Sequence, residues 1–383
     1  MGAPSINISF IEKAVTAITR GERGIVMLWV KDLLPDKAKN PFTVIMESDI
    51  PSGLSKETTE QIKMAMTGYI NAPKKILVYC MGADPEEEDT EALYKGAMEA
   101  SETIRFDYLA VPTVETDGKA EDVATWIKSM RNNKKKKVKA VLPNVKADSE
   151  GVVNYATECA VKTSTKTGED GRKVIVETSY TAEQYCARIA GLIAGTPMNI
   201  SCTYAPLPEL SDCTHLTDID APIDLGQFII FFDGEKVKVV RGVNSFTTTI
   251  DGKGDSFKKI KIVEAMDMIN DDIVKTAQDS YLGKYANSYS NKCLLISAIS
   301  AYFAQLRRDG IISSYSVGLD QEAIRIYLKG KGLSANLDNG TIKAVDECSN
   351  EEIVTADTGA NVFLTGNVKI LDAIEDIVMP IYI

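Results

Sequence analysis

The sequence has few of the residue types that enzymes use for acid–base and metal chemistry. It holds a single histidine, His215, and seven cysteines that never form a CxxC pair. Cys202, Cys213 and His215 are near one another in sequence, but their spacing fits no standard zinc site and a fourth ligand is lacking. One histidine also leaves few options for a general base or a catalytic triad. We expect no catalytic residue, no cofactor and no metal, and we expect reduced thiols typical of a cytosol.

The sequence also lacks a recognisable phosphate-binding loop. Residues 251–255 have neither the GxxxxGK[ST] order of a phosphate loop nor the terminal glutamate of an EF-hand. Gly21 and Gly24 precede the first predicted strand, whereas a dinucleotide-binding GxGxxG follows it. Asp271 and Asp272 are adjacent on a predicted helix, where sequence neighbours do not face each other. The sequence therefore predicts a scaffold and not an enzyme.

Long apolar runs and an excess of basic charge are absent too. No window approaches about 18 consecutive apolar residues, which a membrane-spanning helix requires, and the start lacks the blocks of a signal peptide. The net charge of −11 argues against nonspecific binding of nucleic acid. The basic run 134–137, continued at Lys139, contains no interleaved aromatic residues, so we interpret it as a solvated loop. We expect neither nucleic acid nor membrane as a partner.

What is present in the first half is an alternation of apolar strands with helices of 12–15 residues. This order predicts a mostly parallel α/β sheet, and the length of 383 residues suggests two or three domains. The predicted strands are 24–30, 75–80, 107–111, 138–142 and 174–178, and the predicted helices are 55–69, 87–101, 120–131 and 182–194.

The second half predicts an α+β domain with two long helices. A proline-containing loop at 198–226 suggests a soft boundary after residue 205, and 228–240 indicate a hairpin with its turn at Asp233 and Gly234. Apolar residues at helical spacing extend from Ile262 to Tyr281 and from Leu295 to Leu306. We expect Gly283 to end the first helix with a positive φ.

Both ends of the chain carry short apolar strand patterns. Residues Ile6, Ile8 and Phe10 alternate at the start, and a second set alternates at the end: Ile377, Met379, Ile381 and Ile383. An unpaired apolar edge strand promotes association, so proteins cover it or use it to complete another subunit's sheet. Pairing within the same chain is the alternative, and Pro380 favours an edge position. We predict an arm at 1–20, an α/β domain at 21–205, an α+β domain at 206–365 and an arm at 366–383.

From Lys258 to the end, the sequence resembles contractile tail sheath proteins of myophages and of phage-like elements of Gram-positive bacteria, including tail-derived bacteriocins. A similar start supports the resemblance, with GAPSINISF at 2–10 and RGERGIV at 20–26. The later stretches are DSFKKIKIVEAMDMI at 255–269, YLGKYANSYSNK at 281–292, ISAYFAQLRRDGII at 299–312 and TGNVKILDAIED at 365–376.

The resemblance implies a structural subunit that forms stacked six-membered rings around an inner tail tube. It implies terminal arms that pair with a neighbour's sheet, and contraction from a metastable extended state without a nucleotide. Expected partners are copies of itself, the tube protein, and the baseplate and tail terminator proteins, with assembly in the bacterial host cytoplasm. The resemblance also implies that the C-terminal domain lines the tube and that the α/β domain faces outward.

Four basic residues are candidates for contact with an acidic tube: Lys284, Lys292, Arg307 and Arg308. The alternative is that they are helix-end charges that suit the helix dipole. Two other functions stay open for the whole chain. One is an α/β enzyme with a small ligand at the carboxyl ends of its strands, and the other is a cytosolic adaptor that dimerises by strand exchange.

Overall fold

A computed structural model describes residues 17–82, 90–167 and 173–382. Contacts divide the chain into two compact units. The larger unit consists of Glu22–Asp267 together with the residues from Asp372 onward, and the smaller unit consists of Met268–Leu371 with the described residues 17–21. Each unit has its own apolar cluster.

The larger unit contains the predicted α/β sheet and additional short strands. Its helices are α1 Lys56–Thr67, α2 Thr90–Ser101, α3 Ala120–Asn132, α4 Ala182–Ala194 and α5 Asp220–Asp224. Its strands are β1 Ile25–Val30, β2 Phe42–Val44, β3 Lys75–Cys80, β4 Tyr108–Ala110, β5 Lys139–Pro143, β6 Val152–Tyr155, β7 Ala160–Thr167, β8 Lys173–Tyr180, β9 Asp212–Cys213, β10 Gln227–Phe228, β11 Ile230–Phe232 and β12 Val237–Val239.

Seven of these strands form one sheet in the order β10-β6-β5-β4-β1-β3-β2. All neighbours are parallel except β2, which is antiparallel to β3 at the edge. Chain order adds β3 on one side of β1 and then β4, β5 and β6 on the other side. This is a doubly wound order, and its topological switch point lies between β1 and β4.

Strand β1 shows why the sheet is buried on both faces. All six residues of Ile-Val-Met-Leu-Trp-Val are buried. Val26 and Leu28 pack with residues of α1 and α4, whereas Met27 and Trp29 pack with residues of α2 and α3. A continuous apolar run is typical of a strand covered by helices on both sides, and the prediction for 24–30 is confirmed.

Local capping explains where the helices of the larger unit begin. The Ser55 hydroxyl accepts a hydrogen bond from the backbone N–H of Thr58, which satisfies one of the free donors at the start of α1. At α4, Thr181 and Gln184 cap each other reciprocally, and the helix ends at Gly195. Helix α2 is described from Thr90, and the predicted start at residue 87 lies outside the described residues.

Two expectations for the larger unit need correction. The predicted strand 174–178 belongs to β8, which pairs with β7 in an antiparallel ribbon and not with the parallel sheet. Residues after 205 also belong to this unit, because β10 joins the sheet and Leu207 and Leu210 lie in its core. The predicted boundary between 205 and 206 therefore falls inside the unit. The hairpin is confirmed, with β11 and β12 antiparallel around Gly234.

The smaller unit combines helices with short antiparallel pairs. Helix α6, Ile260–Thr276, begins in the larger unit and continues into the smaller unit, and a π-helical turn at Ala277–Tyr281 follows it. Gly283 follows with φ 71°, as predicted. The remaining elements are α7 Tyr289–Arg308, β13 Ile312–Leu319, α8 Gln321–Gly330, β14 Ala335–Asn336, β15 Ile342–Lys343, α9 Asn350–Ile353 and β16 Leu364–Ile370.

Candidate inter-subunit surface

Strands β13 and β16 form an antiparallel ribbon in the smaller unit. The ring of Tyr315 on β13 contacts Phe303 of α7 at a centroid distance of 5.6 Å, so the ribbon packs against that helix. Within the described residues, no further strand pairs with either outer edge of the ribbon. Two isolated strands are marginally stable in water, and unpaired edges present free N–H and C=O groups. The ribbon is therefore suited to accept an additional strand.

The chain continues from β16 into residues 371–382, which we call the C-terminal segment. The structure assigns no strand to these residues. Leu371 is 37% exposed, and the six large apolar side chains that follow it are between 72% and 93% exposed: Ile374, Ile377, Val378, Met379, Ile381 and Tyr382. Such a concentration of exposed apolar side chains is typical of a surface that a partner covers.

Acidic residues fix the start of the C-terminal segment to the larger unit. The carboxylate of Glu375, whose side chain is 6% exposed, accepts a hydrogen bond of 2.6 Å from the Thr203 hydroxyl. Asp376 Oδ1 lies 2.6 Å from Arg241 Nη2. Lys259 Nζ pairs with Asp372 and lies 3.3 Å from Glu375 Oε2. We call this cluster the C-terminal anchor; its members are Ser201, Thr203, Arg241, Lys259, Asp372, Glu375 and Asp376.

The anchor is held by charge and by close backbone packing. Burial disfavours the charged form of Lys259, but its bonds with Asp372 and the attraction of Glu375 outweigh this and raise its pKa. Beside them, the backbone N–H of Gly242 donates to the Thr203 hydroxyl at 3.0 Å. A Cβ at Gly242 would lie 2.8 Å from the sulfur of Cys202, so a larger residue there would have to displace that side chain. The segment is thus fixed at 372–376 and exposed beyond them.

The structure bears on the predicted arms only in part. Ile6, Ile8, Phe10 and Ile383 lie outside the described residues. Residues 366–370 of the predicted arm 366–383 lie in β16, which pairs with β13 of the same chain. Ile377, Met379 and Ile381 are highly exposed and are not in a strand, in contrast to the predicted secondary structure. The physical reason is that a strand needs a hydrogen-bonding neighbour, and the described chain supplies none at this position. Their role between subunits stays a prediction.

The candidate tube-contact residues do not share one environment. Lys292 is 3% exposed, and its Nζ donates to the Ala356 carbonyl at 3.1 Å and to the Thr358 hydroxyl at 3.3 Å. The prediction for Lys292 is therefore wrong, because the side chain is engaged inside its own unit. Lys284, Arg307 and Arg308 are exposed, and for them tube contact stays a prediction.

The three residues considered as zinc ligands also differ in their exposure to solvent. His215 is exposed, and its Nε2 lies 3.0 Å from Asp212 Oδ1. Cys202 and Cys213 are buried free thiols, and burial raises the pKa of the Cys213 thiol to about 11. Thiols with raised pKa values are poor nucleophiles.

Sequence reasoning missed a buried cluster of charges in the larger unit. Lys139, which we interpreted as part of a solvated run, is 2% exposed on β5. Its Nζ lies 2.8 Å from Glu264 Oε1 and 3.2 Å from Asp267 Oδ2, both on α6. Arg131 on α3 makes two bonds to Asp267, at 2.9 and 3.0 Å. The helical spacing of 264 and 267 was the available signal, since it places both carboxylates on one face of α6.

These charges stabilise one another against burial. Burial alone would raise the pKa of Glu264 and of Asp267, but Lys139 and neighbouring guanidinium groups lower both. Burial also disfavours charged Lys139, yet the two carboxylates raise its pKa. A buried ion pair of this kind is costly to break because one uncompensated charge is left behind. The cluster thus ties the first half of α6 to the α/β sheet.

Two protein families match the chain in sequence. Residues 87–245 match the phage tail sheath protein central domain, and residues 252–383 match the phage tail sheath C-terminal domain. The tail sheath protein of Clostridium phage phiCD119 is 34% identical over 384 residues, which cover 98% of each chain. The chain therefore belongs to the phage tail sheath family.

Solved structures agree with this assignment at the level of the fold. The sheath tail protein of Desulfitobacterium hafniense has a TM-score of 0.65 and 18% identity, covering 96% of this chain and 100% of that one. The anti-feeding prophage helical sheath, solved in its contracted state, has a TM-score of 0.64 and 14% identity, covering 100% and 99% of the two chains. This chain is a structural subunit of a phage tail or a tail-like particle, and the predicted family is confirmed.

Among the described helices, none is long and apolar enough to cross a membrane.

Proposed function

We propose that the chain polymerises as stacked six-membered rings around an inner tube, and that its C-terminal segment adds a strand to a neighbouring copy. The observation that carries the proposal is the run of exposed apolar side chains at 374–382, on a segment whose described ion pairs with its own subunit lie at 372–376. Strand addition would supply both the missing ladder hydrogen bonds and the missing apolar cover.

The ribbon of β13 and β16 is the acceptor that best fits this segment. Its edges are unpaired within the described residues, and its second strand leads directly into the segment of the same chain. Seven residues beyond the anchor reach roughly 23 Å when extended at about 3.3 Å each, which is enough to form one β-strand against an edge of the ribbon. The predicted N-terminal arm, residues 1–20, would contribute a further strand.

Energetics favour a lattice over an isolated dimer. Six apolar side chains give roughly 9–18 kcal/mol gross at about 1.5–3 kcal/mol each. Ordering of the segment opposes this by about 1–2 kcal/mol per residue for the backbone. A single arm is thus a weak link, whereas many arms engaged at once reinforce each other through effective concentration. A non-closing heterologous contact between such subunits generates a helical stack.

Contraction is proposed to follow from this connectivity without a nucleotide. Subunits in a metastable extended array rotate outward into tighter contact after triggering at the baseplate, and the anchored segments keep neighbours connected. We propose that the α/β domain faces outward and that the C-terminal domain faces the tube, where Lys284, Arg307 and Arg308 are the remaining candidates for contact. Tube, baseplate and tail terminator proteins are the proposed partners of a phage or bacteriocin particle assembled in the bacterial host cytoplasm.

The test is assembly of a truncated chain. Removal of residues 377–383 should leave a folded protein that forms no striated cylinders in negative-stain electron microscopy and sediments as a small species. A matched point variant combines Ile377→Asp with Ile381→Asp, and Ile326→Asp is the control because Ile326 is 63% exposed on α8. Cylinders formed normally by the truncated chain would contradict the proposal.

A further inference from the structure

Strand β8 lies at the edge of its sheet. The sheet has the order β8-β7-β9, so β8 has a single neighbour among the described strands. Residues 173–177 of β8, which we call the β8 edge, are exposed except for the half-buried Val176. An open edge presents free N–H and C=O groups, which promote pairing with another strand.

The direction of the backbone groups shows which residues can bond across the β8 edge. The Val176 carbonyl is directed at β7, where it accepts a hydrogen bond of 3.4 Å from the Ser164 hydroxyl. On β7, the Val161 carbonyl accepts from the Ser211 N–H at 2.8 Å, on the side away from β8. Backbone groups of alternate residues in a strand point to opposite edges. Three residues therefore direct their N–H and C=O groups outward from β8: Lys173, Ile175 and Glu177.

The sequence of the β8 edge is complementary to itself when two copies run antiparallel. With Ile175 of both copies at the centre, Lys173 of each copy lies opposite Glu177 of the other. On the other face of the strand, Val174 of each copy lies opposite Val176 of the other. Opposite charges and apolar pairs directly across two strands both stabilise a sheet.

Other registers lose this match. A contact centred on Lys173 or on Glu177 places like charges directly opposite each other, which destabilises a sheet. A contact centred on Val174 or on Val176 places Ile175 opposite one of the two charged residues. Charges on an edge strand commonly prevent pairing, whereas here they favour one register and one orientation.

Exposed apolar side chains supply the driving force for the contact. Ile175 is 70% exposed and Val174 is 51% exposed. Because they are adjacent in a strand, they lie on opposite faces of the ribbon that β7 and β8 form. Two-stranded ribbons are marginally stable in water and gain stability from additional strands. Pairing through the β8 edge would cover part of both faces and bond the free backbone groups.

We infer that the β8 edge is a self-association surface, at which two copies of the chain join their sheets antiparallel with Ile175 at the two-fold axis. An isologous contact closes after two copies, so it is distinct from the non-closing contact proposed for the stack. It lies in the larger unit and does not use the C-terminal segment. The contact gives the free subunit a weak dimer, since only a short stretch of each copy takes part.

The experiment exchanges the two charges. Sedimentation equilibrium of the full chain over a concentration series should show monomers and dimers. Lys173→Glu and Glu177→Lys should each weaken the dimer about tenfold, because each places like charges opposite each other twice. The variant that combines both changes should dimerise as the parent does. Glu235→Lys, at an exposed position between β11 and β12, is the matched control and should have no effect.

A disulfide tests the register. The Cα atoms of a hydrogen-bonded antiparallel pair lie about 5.5 Å apart, within the range of about 4.4–6.8 Å that a disulfide spans. Ile175→Cys should therefore give a covalent dimer under mild oxidation. Thr165→Cys, at an exposed position on β7, is the control. It should stay monomeric, as should the parent with its seven natural cysteines.

Three results would each overturn the inference. They are a chain that is monomeric at every concentration, a combined variant that dimerises no better than the single variants, and equal cross-linking of Ile175→Cys and Thr165→Cys. The chain with Ile377→Asp and Ile381→Asp separates this contact from the proposed assembly. We expect it to retain the dimer even if it forms no cylinders. Loss of the dimer there would mean that the C-terminal segment, and not a second β8 edge, makes the contact.

Discussion

Strand β1 and the C-terminal segment use similar apolar residues in opposite environments. Every residue of β1 is at most 4% exposed, whereas the apolar residues from 377 to 382 are at least 72% exposed. Strand β1 has parallel neighbours on both sides and helices on both faces. The segment has an ionic anchor at its base and no strand neighbour in the described residues. The difference separates residues that build the subunit from residues that are available to another subunit.

The largest effect on stability is expected inside β1. Leu28→Ala should lower the free energy of unfolding by roughly 2–5 kcal/mol, because it removes packed volume that its neighbours cannot refill. Ile381→Ala in the C-terminal segment should change it by no more than about 0.5 kcal/mol. Urea unfolding followed by circular dichroism measures both. Equal losses in the two variants would mean that the segment is part of the subunit core.

A comparable effect is expected at one of two lysines of the same basic run. Lys139→Met should lower the free energy of unfolding by about 3–5 kcal/mol, since it leaves Glu264 and Asp267 buried without one of their cations. Lys134→Met is the matched control, because Lys134 is 42% exposed and pairs with Glu102 at the surface. We expect a change below about 1 kcal/mol there. A mild effect at both positions would contradict the assigned burial.

Acid should weaken the larger unit through the same cluster. The folded-state pKa values of Glu264 and Asp267 are lowered, so their contribution is present above the unfolded values of about 4.3 and 3.9 and is lost as the pH falls through the folded values. Asp107 acts in the opposite sense, because burial raises its pKa. The urea midpoint should decrease as the pH is lowered from about 5 to about 3, and it should decrease less in Glu264→Gln. An identical acid response in parent and variant would remove this cluster as the cause.

A smaller effect on stability than at β1 or at Lys139 is expected at the C-terminal anchor. Glu375→Gln retains the size of the side chain but removes its charge, so stability should fall by roughly 1 kcal/mol or less. Cylinder assembly should nevertheless become weaker, because the start of the donated strand is held less firmly by Lys259 and Arg241. The measurement is sedimentation at low and moderate salt, with Glu351→Gln on α9 as the control. Assembly that is unchanged at every salt concentration would restrict the anchor to a local role.

Sequence patterns predicted the secondary structure correctly where the local backbone preference and the burial of the residues favour the same conformation. The continuous apolar run of β1, the Ser55 cap of α1 and the glycine after α6 each predict their structure, because the backbone preference and the surroundings favour the same conformation. Strand β8 was wrongly assigned to the parallel sheet. Its burial alternates only weakly along the strand, and its true partner, β7, is polar. The boundary after 205 was misplaced because a proline-containing loop resembles a linker even when Leu207 and Leu210 are buried.

The sequence by itself determined the family, the mostly parallel α/β character of the first half and the apolar nature of the C-terminal residues. Tertiary structure decided which charges are buried. Lys139 and Lys134 belong to one basic run in the sequence, and only the approach of α6 makes Lys139 an ion-pair partner of Glu264 and Asp267. It also decided that Glu375 is fixed while Ile377 is exposed, because ionic contacts between residues more than 100 positions apart follow from chain topology and not from local preference.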